Sequence, residues 1–256
     1  MKKITLQAKQ SKIPPLDFVG VKLEDWLTRS ADQINRWRLP SRGHDGDGLE
    51  IAIGDVWSVS IESLGEDESP VLRLQGDCSR IDSLGHQHRR GRIIVEGNIG
   101  RYCGACMTGG LIEVHGNAGD AAGSTVGTRG AGMNGGTLRI HGNAGDLAGH
   151  RMRRGEMTIQ GDVGNGLASW QVAGTIRIGG NVGGNVAYGM RRGTLILDQP
   201  IELPTARFTE PIELTTPFAA LVGIDQHRPW SVSRGDRSIG GIGEVWMARG
   251  DTRRIA

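Results

Sequence analysis

A Gly-Asn or Gly-Asp dipeptide recurs through the middle of the chain, at Gly76-Asp77, Gly97-Asn98, Gly116-Asn117, Gly142-Asn143, Gly161-Asp162 and Gly180-Asn181. The intervals are 21, 19, 26, 19 and 19 residues, and the 26 is a 19 lengthened by seven residues within 124–132. Ahead of the corners stand two apolar residues separated by one: Ile93/Val95, Ile112/Val114, Leu138/Ile140, Met157/Ile159 and Ile176/Ile178. That spacing is the period of a strand with one buried face. A second glycine follows three residues after the first, at Gly100, Gly119, Gly145, Gly164 and Gly183. Seven residues after the first the side chain is small: Gly104, Gly123, Gly149, Ala168 and Ala187.

Such a repeat excludes helix. Thirty of the 42 glycines lie between Gly76 and Gly193, and each costs roughly 1 kcal/mol in a helix relative to alanine. Short strands joined by tight corners tolerate them, because glycine reaches positive φ without steric cost. On this ground Gly145 and Gly164 are expected at positive φ. A unit of about 19 residues cannot bury its own apolar pair, so copies must stack, each roughly 4.8 Å from the next. The fold class expected is all-β: a right-handed parallel β-helix of about seven rungs, from Leu72–Leu74 to Leu195–Leu197, roughly 29 Å long. A period of 19 does not fit the six-residue repeat of left-handed β-helices. Met107, Met133, Met152 and Met190 share one slot, and the Asn/Asp column at the corner is expected to stack as a ladder of side-chain amides.

Composition marks the boundaries. No proline falls between residues 71 and 199, and all five lysines lie within the first 22 residues. The reading is therefore an N-terminal cap segment over 1–70, a repeat domain over 71–199 and a C-terminal extension over 200–256 that packs on the helix end. Ser30-Ala-Asp-Gln33 has the pattern of a capping box, predicting a short helix with Ile34 and Trp37 on one face and a stop at Pro40. Ile51 and Ile53 are out of phase with the repeat, so 50–55 is not counted as a rung. The last residues, 252–256, are expected to fray. The net charge of +2 excludes a whole-chain polycation for nucleic acid. The strongest apolar stretch, 217–224, is too short for a membrane span, and three cysteines make no disulfide framework. The expectation is a cytoplasmic protein.

The Gly-Asn/Asp-x-Gly corners, the Gly132-Met-Asn-Gly-Gly136 and His150-Arg-Met-Arg-Arg-Gly155 steps and the single longer third repeat resemble the C-type subunit of formylmethanofuran dehydrogenase. The pattern is shared with the formyltransferase/hydrolase complex of methylotrophic bacteria, and it is similar to the C-terminal β-helix of the glutamate synthase large subunit. The resemblance covers about residues 70–200, with Leu203-Pro204-Thr205 also fitting. It implies a scaffold subunit without catalytic residues, set in one-carbon metabolism beside an amidohydrolase-like subunit and a formyltransferase subunit. It further implies a methanofuran-like carrier and a tetrahydromethanopterin-type pterin in the complex, with the metal in a partner subunit and no cofactor bound by this chain. Neither nucleic acid nor membrane is an expected partner. Two alternatives stay open: a stand-alone β-helix enzyme acting on carbohydrate, and a solenoid partner of a glutamate-synthase-like amidotransferase.

Individual motifs carry less. Cys103-Gly-Ala-Cys106 is a lone CxxC, and Cys103 falls in the apolar slot of Ala148, Leu167 and Val186, as Cys78 shares that of Ile99, Ala118, Val163 and Val182. Both read as core. Gly130–Gly135 matches GxGxxG but precedes a strand instead of opening a helix, so it is not a dinucleotide site. His115 and His141 share one outward slot on consecutive repeats, close enough to share a metal, but with no third ligand fixed no metal is assigned. Arginine alone is patterned among the charges. Pairs precede the strand-leading glycine at Arg89-Arg90, Arg153-Arg154 and Arg191-Arg192, and residues 71–199 hold 14 Arg against 9 Asp+Glu. Arginine suits bidentate carboxylate recognition. Arg153, Arg154, Arg191 and Arg192 are the candidate binding residues, either for the carboxylate-rich carrier tail or for an acidic partner surface.

Overall fold

Ile93, Ile112, Leu138, Met157, Ile176 and Leu195 stand side by side on neighbouring strands. Seven strands carry this register: Val71–Gln75, Arg92–Val95, Leu111–Val114, Asn134–Ile140, Arg154–Ile159, Thr175–Ile178 and Thr194–Leu197. Each pairs in parallel with the next in sequence. The alternating apolar pairs point inward, each 2% exposed at most. After each corner a second line of parallel bridges runs Cys78, Ile99, Ala118, Ala144, Val163, Val182. Met107, Met133, Met152 and Met190 are fully buried. This computed structural model describes residues 1–41, 49–127, 129–214 and 229–249. The stretches 217–224 and 252–256 lie outside the described residues.

The chain is mostly β with a few short helices, and the strands form a large mixed sheet. Its edges continue beyond the glycine repeat. Lys2–Ala8 pairs in parallel with Val71–Gln75 and antiparallel with Trp57–Ser63. At the opposite edge Gly243–Ala248 pairs in parallel with Thr194–Leu197 and antiparallel with Trp230–Gly235. Glu50–Ala52 pairs antiparallel with Arg38–Pro40, away from the large sheet. The helix Ala31–Asn35 has its capping box: Gln33 N–H donates to Ser30 Oγ at 3.3 Å and Ser30 N–H to Gln33 Oε1 at 2.9 Å. Ile34 is buried beneath it, and Phe18 meets Trp26 and Trp57 edge-on at 6.4 and 6.0 Å. No helix among the described residues is long and apolar enough to cross a membrane.

The corner ladder forms with different partners from those expected. Asn117, Asn143, Asp162 and Asn181 each donate the backbone N–H to the side-chain oxygen one repeat earlier, at 2.9, 2.8, 2.8 and 2.7 Å. A side-chain oxygen thus satisfies a turn N–H that has no strand partner. A second ladder runs beside it, from Asp146, Asn165 and Gly184 N–H to Asp120, Asp146 and Asn165 Oδ1 at 2.9, 2.7 and 2.8 Å.

The expected role of Gly145 and Gly164 needs correcting. Neither has a positive φ. They are glycine because the neighbouring repeat comes too close: a Cβ on Gly164 would press on Asp146 Oδ1 and lie 2.8 Å from Asp146 N, and one on Gly145 would meet Asp120 in the same way. The left-handed backbone lies further along the repeat. Tyr102, Ala121, Leu147 and Asn185 share one slot at φ of 60°, 61°, 60° and 57°, with Gly166 there at 74°.

Candidate functional site

The four candidate arginines are exposed, and two backbone bonds fix their places. Arg153 N–H donates to Met133 O and Arg191 N–H to Gln171 O, both at 2.8 Å. Val172 N–H donates to Met152 O at 2.8 Å between them, so the pairs stand two strand steps apart, roughly 10 Å. Val172-Ala173 fills the intervening step without charge. Among the described residues no carboxylate forms an ion pair with any of the four, whereas Arg90 reaches Glu24 at 3.7 Å. Their guanidinium groups are therefore open to an external anion, each exposed contact worth about 0–1 kcal/mol.

A second cluster lies on the outward face of Leu111–Val114 and the strand beside it. Val114 pairs with Ile140, so His115 and His141, one residue on, stand side by side. Their rings meet edge-on, centroids 5.3 Å apart and planes at 82°. Glu113 completes the group from two positions before His115, on the same face of its chain. Its Oε1 is 3.1 Å from His141 Nε2 and 3.9 Å from His115 Nε2, while Arg92 approaches Oε2 at 3.9 Å. Sequence reasoning named both histidines and missed the carboxylate, although Glu-x-His on a strand carries the signal.

A groove of about 510 Å³ was not foreseen at all. Leu147, Trp170 and Tyr188 line it, and Trp170 meets Tyr188 edge-on at 5.9 Å. His150 Nδ1 lies 2.7 Å from Ser169 Oγ in its wall. Burial, with Arg151 nearby, holds the His150 imidazole below the usual histidine value. Trp170 and Tyr188 occupy different slots of the repeat, 18 residues apart, so periodicity gave no hint of their meeting.

The cysteines are free, Cys78 and Cys103 buried and Cys106 partly so. Burial pushes the Cys103 thiol up to about 12, and burial with Asp77 does the same for Cys78. Both sit in the slots that the repeat assigns to aliphatic residues. Gly130–Gly135 leads into the strand Asn134–Ile140, as its context predicts.

No family model matches the chain. It is 32% identical over 105 residues to the subunit designated C of the tungsten-containing formylmethanofuran dehydrogenase 2 of Methanothermobacter wolfeii. The aligned stretch is 41% of this chain and spans 37% of that relative. A chain of the crystal structure of the formyltransferase/hydrolase complex of Methylorubrum extorquens, in complex with methylofuran, matches with a TM-score of 0.72 at 28% identity. That likeness covers 96% of this chain and 100% of the other. The chain is a relative of the C-type subunit of formylmethanofuran dehydrogenase, and its fold is that of a chain of the formyltransferase/hydrolase complex.

Proposed function

We propose that this chain is a non-catalytic scaffold subunit of a formyl-transferring complex in one-carbon metabolism, built as a right-handed parallel β-helix of about seven rungs. The observation that carries the reading is the end-to-end likeness to a chain of the formyltransferase/hydrolase complex, 96% of this chain on all of that one. The winding is supported by parallel strands one repeat apart, a second line of bridges between the same repeats, and the near-universal right hand of parallel crossovers. In this reading 1–70 and 200–256 cover the two ends of the β-helix, where open strand edges would otherwise invite pairing with another chain. The partners are an amidohydrolase-like subunit, which holds the metal, and a formyltransferase subunit served by a tetrahydromethanopterin-type pterin.

Arg153, Arg154, Arg191 and Arg192 form a path for the carboxylate-rich tail of a methanofuran-like carrier. Support comes from their exposure, their lack of ion pairs among the described residues and their spacing of two strand steps. Several weak contacts in succession hold a tethered carrier without trapping it, and they weaken with salt because exposed charges are screened within about 10 Å at 0.1 M. Replacing all four by glutamate tests this. Transfer through the assembled complex should slow while each partner's isolated reaction is unchanged. Dissociation of the complex would make the column a subunit interface, and no change in either would remove the carrier role.

A further inference from the structure

We propose that Glu113, His115 and His141 form a binding site for a divalent transition-metal ion of the zinc class. Imidazole nitrogen with carboxylate oxygen is the donor set that zinc and its neighbours take, whereas magnesium and calcium want oxygen alone.

The geometry carries this in three ways. First, one ligand atom from each residue lies within 4.8 Å of the other two. With zinc–nitrogen and zinc–oxygen bonds of about 2.0–2.2 Å, a tetrahedral site sets its ligand atoms roughly 3.3 Å apart. Glu113 Oε1 to His141 Nε2 already has that separation at 3.1 Å, and His115 Nε2, at 3.9 Å from the same oxygen, needs to move by less than about an ångström.

Second, the carboxylate divides its two oxygens. Arg92 stands at Oε2 while Oε1 faces both histidines, so the arginine orients the ligand in the way that outer partners orient carboxylates at metal sites. Third, the three side chains rise from two strands locked in parallel register through Leu111↔Thr137 to Val114↔Ile140. Their Cα positions are fixed before any ion arrives, and rotamers alone complete the site. Three protein ligands leave a fourth position on the solvent side for water or an anion. The inference goes beyond the scaffold role and does not depend on it.

Binding is measured on the full chain, by titrating Zn²⁺ against a chromophoric chelator and by the visible spectrum of the Co²⁺ form. One equivalent should bind per chain. Affinity should fall about tenfold or more in His115→Ala, in His141→Ala and in Glu113→Gln. His150→Gln, remote from the cluster, should bind as the parent does. All three ligand side chains are at the surface, so metal-free variants should melt at the parental temperature, which separates a lost ligand from a lost fold. With metal present, the parent alone should gain thermal stability, as a ligand of the folded state does. Undiminished binding in the His115→Ala/His141→Ala double variant, or no saturable binding by the parent, would overturn the assignment.

Discussion

Replacing Gly164 by alanine adds one methyl group at a position whose φ any residue can adopt, yet the structure makes it a severe change. The new Cβ would lie 2.8 Å from Asp146 N and 2.9 Å from Gly145 C, besides pressing on Asp146 Oδ1. Carbon atoms attract at about 3.5–4.0 Å, so the neighbouring repeat must retreat by roughly 0.6 Å or more. Retreat strains the bonds that join the two repeats there: Asn165 N–H to Asp146 Oδ1 at 2.7 Å and Gly164 N–H to Ala144 O at 3.1 Å. Overpacking of this kind costs about 1–3 kcal/mol, and two weakened hydrogen bonds add about 1 kcal/mol each. The sum is about 3–5 kcal/mol, which lowers the melting temperature of a chain this size by on the order of 10 °C. The control is Gly166→Asn, two residues on. Gly166 has φ +74°, but Leu147 and Asn185 hold the same slot at 60° and 57°, and the nearest atom to a new Cβ is the flexible Leu147 Cδ2 at 2.7 Å. Asparagine tolerates left-handed backbone, so the cost should stay near about 1 kcal/mol. Thermal melts of the two variants decide the matter. A larger loss in Gly166→Asn than in Gly164→Ala would refute the reasoning and restore positive φ as the reason for glycine at these corners.

Alkylation of the native chain should modify Cys106 alone, because burial holds Cys78 and Cys103 protonated, with pKa values of about 12; mass spectrometry before and after unfolding checks this, and Cys103→Ala should cost about 1 kcal/mol. Asp236 is buried and accepts from Arg207 Nε at 2.8 Å, Gly189 N–H at 3.0 Å and Ser238 Oγ at 2.6 Å. Burial raises its carboxyl and is the largest single influence, but these donors together outweigh it and hold the group below its ordinary value. A depressed folded value stabilises above the unfolded pKa of about 4, and that contribution is lost as pH falls through the folded value. Asp236→Asn should therefore cost about 3 kcal/mol at neutral pH, with the gap between variant and parent closing in acid; a gap independent of pH would count against the ionised pair. Asn143→Ala removes the acceptor of Asp162 N–H and should cost about 1 kcal/mol in chemical unfolding.

The repeat strands were legible because two signals coincide in each unit: an apolar pair at period two, and a glycine corner at fixed distance from it. Val71–Gln75 and Thr194–Leu197 lie at the ends of that pattern and still pair in its register. Lys2–Ala8 and Gly243–Ala248 extend the same sheet but carry no Gly-Asn corner, so nothing local marks their partners, which lie far along the chain, as Val71–Gln75 does from Lys2–Ala8. The corner glycines were found, and their physical reason was misread, because close approach between repeats leaves no mark that distinguishes it from positive φ. Left-handed residues such as Tyr102 and Leu147 were invisible for the complementary reason: their side chains carry no preference for that backbone, and the stacked repeats impose it. Among site residues, the arginine pairs and both histidines were read from repeat slots. Glu113 required knowing that its face is the histidines' face, and the Trp170–Tyr188 groove joins residues of unequal slots.

The central claim, membership in a formyl-transferring assembly, is tested most directly by purifying the untagged chain from its native cell and identifying what accompanies it. The account predicts stoichiometric co-elution with an amidohydrolase-like subunit and a formyltransferase subunit. A stand-alone monomer with an activity of its own would contradict it.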